Sequence, residues 1–263
     1  MQAKPVRTNN AIDHISFILN FEEEFEDETV IKLHSLKDHF GELTEFDTLN
    51  VVQMMVANNA PRLPLTKPGG VVLKKPSPDL EETDGKPEWS ITVANVTIQV
   101  DCMLYTRWHE VFPKAMSYLV ETLKFIDLEK SKVSEFAIQV EDAFVLDDPE
   151  NYSVDDVFNS TSSYLTSNIQ EHLLWHVHQG WFVDVNEFRV LNNLNLSTHC
   201  EDDKPHLTKI SHLTRVAVPD EFDVSESDGI AAFIEKSALL CHDINKQVIG
   251  DLLNQDAKAE IGL

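Results

Sequence analysis

The sequence predicts an α+β fold: a largely antiparallel sheet, or sheets, with long amphipathic helices packed on one face. Three observations predict it. From Val96 to Leu104 the apolar residues Val96, Ile98, Val100, Cys102 and Leu104 occupy every second position, the period of a strand with one buried face. Further on the period changes: Ile230, Ile234, Cys241, Ile244, Val248 and Leu252 follow helical spacing. Successive strand-like segments are joined by short turns, which pair neighbours antiparallel.

The elements follow in order. Asp13 to Phe21 reads as a strand, with Ile15, Phe17, Leu19 and Phe21 on one face. Thr29 to about Phe40 reads as a helix, with Val30, Leu33 and Phe40 inward. Leu49 to Val56 reads as a strand. Ala60 to Pro87 is rich in Pro, Gly and charge and is expected to be mostly loop, with a short edge strand at Val71–Leu73. Trp89–Val93 and Val96–Leu104 form a hairpin across Ala94–Asn95. A helix follows, with Trp108, Val111, Phe112, Ala115, Leu119, Leu123 and Ile126 on one stripe; Pro113 requires it to start near residue 112 or to kink there. After the charged linker Glu129–Lys132 the second half repeats the outline: a strand at Val133–Leu146, a turn or weak helix at Val154–Leu165, and strands near His172–Val185, Phe188–Thr198 and Leu207–Val218. The last helix spans about Asp228 to Asn254. The chain therefore divides into an N-terminal half, 11–128, and a C-terminal half, 133–263, either as two sub-domains or as one continuous sheet.

Composition narrows the function classes. The 263 residues carry 45 Asp and Glu against 21 Lys and Arg, a formal charge of -24. Such a charge repels phosphate backbones and anionic membranes; it suits a basic protein partner or mimicry of nucleic acid, and equally serves plain solubility or a salty environment. The acidic blocks 22–28, 147–156, 201–203 and 220–228 lie between periodic segments, and three of them precede helices, where the backbone dipole favours carboxylates. Cys102, Cys200 and Cys241 have no disulfide-like spacing, and Cys102 and Cys241 fall on apolar faces as core thiols. No stretch approaches the roughly 20 apolar residues of a membrane span, and Met1–Asn10 has no signal core. The expectation is a soluble, cytoplasmic protein.

Side-chain chemistry offers a few constellations. His176 and His178, two apart in a strand, share a face and suit a divalent metal such as zinc, with His172, His199, Cys200 and His206 as further ligands. The alternative makes them the solvent side of a half-buried sheet, with Trp175, Val177, Trp181, Val183 and Val185 on the core side. Glu141 and Asp142 interrupt the apolar strand Phe136–Val145, and alternation turns one of the two inward or toward a cleft. Trp175, Trp181 and Phe182 are pocket or core aromatics, and His242, Asp243 and Asn245 read as the exposed shoulder of the last helix. There is no G-x-S-x-G elbow, and Gly69–Gly70 lacks the spacing of a nucleotide fingerprint.

Three segments carry a resemblance. Trp89–Val93, the strand from Val96 into Tyr105, Trp108 and Phe112, and the run from His242–Asn245 through Leu252 to Gly262 resemble a sporadically distributed family of uncharacterised prokaryotic proteins. Its members enter a helix through a Tyr-x-x-Trp-x-x-Phe-like motif, here one residue longer. They carry a basic Arg-Tyr-Ile-Asn-like middle strand where this chain has Ile138 to Asp142. The resemblance implies association with mobile or defence genes and brings no established activity to this chain.

The expected function is that of an acidic binding or regulatory protein acting without a cofactor through a macromolecular, basic partner such as a toxin or nuclease. The alternative is an enzyme or a small-ligand or metal sensor with a pocket between sheet and helices, built on His176, His178, Glu141 and Asp142. A third reading is a homo-oligomer joined through an exposed strand edge.

Overall fold

A computed structural model describes residues 3–8, 10–53, 56–57, 60–61, 65–78, 83, 85–148, 151–166, 169, 174–199, 206–220 and 222–263. The alternating segments build one antiparallel sheet. In chain order its strands are β1 (Ala3–Pro5), β2 (Ile12–Phe21), β3 (Glu45–Gln53), β6 (Leu65–Lys75), β7 (Trp89–Ala94), β8 (Thr97–Cys102), β9 (Val133–Leu146), β10 (His176–Val185), β11 (Phe188–His199) and β12 (Leu207–Ala217). β4 (Val56–Ala57) and β5 (Ala60–Pro61) form a separate small pair. The spatial order is β10-β11-β12-β9-β2-β8-β7-β6-β3, with β1 pairing the end of β9. The two halves thus share one continuous sheet whose seam is the β2–β9 pair. Each half repeats one path: its first long strand, then a meander whose last strand, β8 or β12, returns to pair with that first strand.

The helices α1 (Asp27–Leu33), α2 (Trp108–Leu123), α3 (Ser227–Leu252) and α4 (Gln255–Ile261) complete the fold, and the first three pack on the sheet's apolar side. That side is set by the register. One row of paired residues crosses nine strands: Trp181, Asn192, Thr214, Ile138, Phe17, Val100, Ile91, Leu73 and Phe46. Alternation sends their neighbours to the opposite side, where Asp101 accepts hydrogen bonds from Ser16 (2.6 Å), Ser90 (3.0 Å) and Gln99 (2.7 Å). Among the described residues no helix is long and apolar enough to cross a membrane.

The structure departs from the sequence-based expectation in several places. The region read as a loop with a short edge strand contains β6, eleven residues long and paired on both sides by β3 and β7. Its Pro68-Gly69-Gly70 run belongs to the strand: the register slips between Leu49 and Asn50, so that Gly69 is the extra residue of a bulge. β3 accordingly begins at Glu45 rather than Leu49 and is described to Gln53; residues 54 and 55 of the expected strand lie outside the described residues, and Val56 belongs to β4. α1 ends at Leu33 and continues as a tighter 3-10 segment, His34–Asp38. α2 starts at Trp108, five residues before Pro113, so the proline lies inside the helix rather than at its start. The hairpin turns sit at Asn95 and Asn186, both with positive φ, a conformation Asn adopts more readily than most residues. The acidic blocks before α1 and α3 place Asp27, Glu28 and Asp228 in first turns. In the block at 147–156, Asp156 closes a capping box with Ser153.

Candidate functional site

β9 is the central strand of the site. Alternation within it separates the two interrupting acids. Glu141 lies on the open face, half-buried beside Gln139 (3.1 Å) and His14 (3.5 Å). Asp142 turns to the helix side, between Ile12 of β2 and Ile210 of β12, and retains 5 % of its surface. There it reaches a cavity of about 280 Å³ between the sheet, the lead-in to α2, and α3.

The cavity floor is Ile12 and Ile15 of β2 with Val140 and Asp142 of β9. The segment leading into α2 supplies Tyr105 and Arg107, and the first turn of α2 supplies Trp108 and His109. The lead-in segment is held by Arg7, which donates to the Met103 carbonyl (2.9 Å), and by Asn10, which donates to that of Tyr105 (3.4 Å). α3 supplies His242, Asn245, Lys246 and Ile249, one stripe at helical spacing. Ile261, Gly262 and Leu263 close the remaining side. They are placed by α4, whose N-terminus is capped by Asn254 accepting from the Ala257 amide (2.7 Å).

The electrostatics are uneven. The Asp142 carboxyl has no hydrogen-bond or ion-pair partner among the described residues, and burial pushes its pKa up to about 7. Burial, and secondarily the Asp142 charge, push the Tyr105 phenol up to about 12. Toward solvent, Arg107 and Lys246 are exposed and have no carboxylate partner among the described residues. Most lysines elsewhere are paired, as Lys75 is with Glu88 and Lys114 with Glu42. Trp108 is stacked between His242 (centroids 4.1 Å, 7° between planes) and Phe112 (4.8 Å, 2°). Burial, with a smaller effect from Lys246, lowers the His242 pKa, so the ring presents a neutral face.

Behind Asn245 lies a buried polar cluster on β11 and β12. His212, 1 % exposed, contacts the Asn245 Oδ1 through Nδ1 (2.9 Å) and the Asn192 Oδ1 through Nε2 (3.2 Å), and it stacks on Trp181. Burial lowers its pKa, so the ring is neutral. A neutral ring has one N–H and donates to one of these two amide oxygens at a time; both contacts are satisfied together when the Asn192 amide is turned over, so that its NH₂, which has no partner as placed, donates to Nε2 while Nδ1–H donates to Asn245. The cluster fixes Asn245 at the cavity wall.

The remaining sequence candidates lie elsewhere. His176 and His178 stand side by side on the exposed face of β10, at the sheet's edge, and His178 contacts Asn195 of β11. His199 ends β11, and His206 precedes β12. His172 and Cys200 lie outside the described residues. Among the described residues no three His, Cys, Asp or Glu side chains converge as metal ligands. Trp175 is core, edge-on to Phe158, and Phe182 is exposed beneath the Arg189 guanidinium (4.8 Å). The shoulder reading of the last helix holds for the exposed Asp243, whereas His242 and Asn245 face the cavity. Sequence reasoning did not single out Arg107 or Lys246; no local pattern marks two surface cations that a distant strand completes.

Comparison with protein-family models, with curated proteins and with solved structures finds no match for this chain. Tyr105, Trp108, His242, Asn245 and Gly262, which carry the sequence resemblance, all line the cavity, but no family membership follows from them.

Proposed function

We propose that this chain is a small-ligand-binding protein whose site is the cavity between β2, β9, α2 and α3. One observation carries the reading: Asp142, buried and without a partner among the described residues, faces a space large enough for a small molecule. A buried carboxyl without a partner is destabilising by itself. A ligand that bonds to it recovers that loss and supplies affinity.

The test is a thermal-shift screen of metabolites and metal salts on the wild-type chain and on Asp142→Asn. A ligand present at about 100 times its Kd stabilises the folded state by about 2.7 kcal/mol. The expected result is a compound that raises the wild-type midpoint and does not raise that of the variant. A flat response across the screen would sink the reading.

A second reading, of a basic macromolecular partner, is favoured by the charge of -24. In it the acidic blocks steer the partner, and association weakens as salt rises. Capture from lysate that is indifferent to ionic strength would remove it. Both readings place the protein in the reducing cytoplasm, a placement supported by the buried free thiols of Cys102 and Cys241.

A further inference from the structure

The identity of the ligand can be argued from where the cavity holds charge, provided that the cavity is the ligand site. Its buried end presents one carboxyl, Asp142. Its solvent end presents two cations, Arg107 and Lys246. The amino-terminal end of α2 adds partial positive charge beside Arg107, where no side chain caps the helix. The two poles do not neutralise each other: among the described residues neither cation pairs with Asp142, whose pKa burial raises. The remaining titratable side chains that face the space are Tyr105, His109 and His242, and among the described residues Asp142 is the only acidic side chain lining it.

Single-pole ligands fit this arrangement poorly. An anion satisfies Arg107 and Lys246 but leaves Asp142 buried without a partner. A cation pairs with Asp142 but lies beneath two fixed positive charges. A molecule bearing both groups answers both ends at once. We propose that the cavity binds a compact zwitterion, with a protonated amine against Asp142 and a carboxylate at Arg107, Lys246 and the start of α2. Between the poles the wall is Ile12, Ile15, Val140 and Ile249 with the Trp108 ring, so the body joining the two groups is apolar. The volume of about 280 Å³ lies at the lower edge of the roughly 300–1,000 Å³ of small-molecule pockets. That is the scale of a free amino acid or a short ω-amino acid, not of a peptide.

The experiment is calorimetric titration of the full chain with the ω-amino acids from glycine to 6-aminohexanoate, and with leucine and phenylalanine. The best binder is then compared with the amine and the acid of the same carbon skeleton. One zwitterion is expected to bind, and removal of either charged group should weaken it at least about tenfold, or 1.4 kcal/mol. Asp142→Asn should erase the preference for the zwitterion over the acid. Lys246→Gln, on the exposed surface, should erase the preference over the amine while leaving the fold intact. Equal binding of the acid or of the amine by the wild-type chain would overturn the proposal. If no member of the series binds while an unrelated metabolite stabilises the chain through Asp142, the zwitterion is wrong and the site stands. If both screens are flat, the site falls with it.

Discussion

Asp142 couples the cavity to the stability of the fold, and the sign of that coupling is fixed. Its pKa is about 7 in the folded chain against an ordinary 3.8, so folding favours its protonated form. The penalty is absent below about pH 4, grows between about pH 4 and 7, and is complete above that. At about 1.4 kcal/mol per unit, the full penalty is of the order of a few kcal/mol. Asp142→Asn removes it: the variant should exceed the wild type in stability by more at pH 8 than at pH 5, as measured by urea unfolding at both. The lowered pKa values of His212 and His242 act in the opposite direction, with stability lost as pH falls, and they cancel in the difference between variant and wild type. His212→Ala should cost roughly 2–4 kcal/mol, because it opens a buried hole and strips Asn192 and Asn245 of a partner. A loss below about 0.5 kcal/mol in chemical denaturation would show that the cluster does not stabilise the fold. Part of this site was legible in the sequence. Alternation marked Glu141 and Asp142 as a pair of which one faces inward, but not which one. The stack of His242 on Trp108 was not legible, since no period relates the first residue of α2 to one on α3.

Strands and helices with a clean period were the most readable elements. β2, β7, β8, β9 and α3 lie where the apolar spacing puts them, within a few residues. β6 was hidden because Pro, Gly and Lys, ordinary loop residues, serve a strand purpose there. Pro68 lies beside the register shift, and Gly70 lets two backbones approach: a Cβ on it would lie 2.3 Å from the Val93 carbonyl oxygen and 2.9 Å from the Ala94 Cα. Gly70→Ala should therefore push β6 from β7 and destabilise by about 1–3 kcal/mol. Gly69→Ala should be milder, since its closest contact is the Val51 side chain, which can turn away. Thermal unfolding of the two variants checks the order. Equal midpoints would mean that the β6–β7 contact yields easily.

Taken whole, the molecule is built on one ten-stranded sheet and carries a strongly negative net charge. Its self-repulsion is screened when the Debye length falls from about 30 Å in 0.01 M salt to about 3 Å in 1 M. Sodium chloride should therefore raise the unfolding midpoint across that range, and a midpoint that falls would show that attractive pairs such as Lys75–Glu88 outweigh the net charge. The fold class was readable because two periods and short turns define it. The continuity of the sheet was not, because the seam pairs segments from opposite halves. Residues 133–263 expressed alone should lack a stable monomer, since β9 loses β2 along the edge carrying Phe136, Ile138 and Val140. A monodisperse, cooperatively melting fragment on size-exclusion chromatography would contradict that. The seam also has a consequence for synthesis. β2 is complete at residue 21, and β9 begins only at residue 133. At the roughly 5–20 residues per second of translation, that interval lasts on the order of 5–20 s. For that time a half-built sheet leaves the ribosome with one flank of β2 bare, and chaperones that recognise open strand edges have their one timed opportunity on this chain.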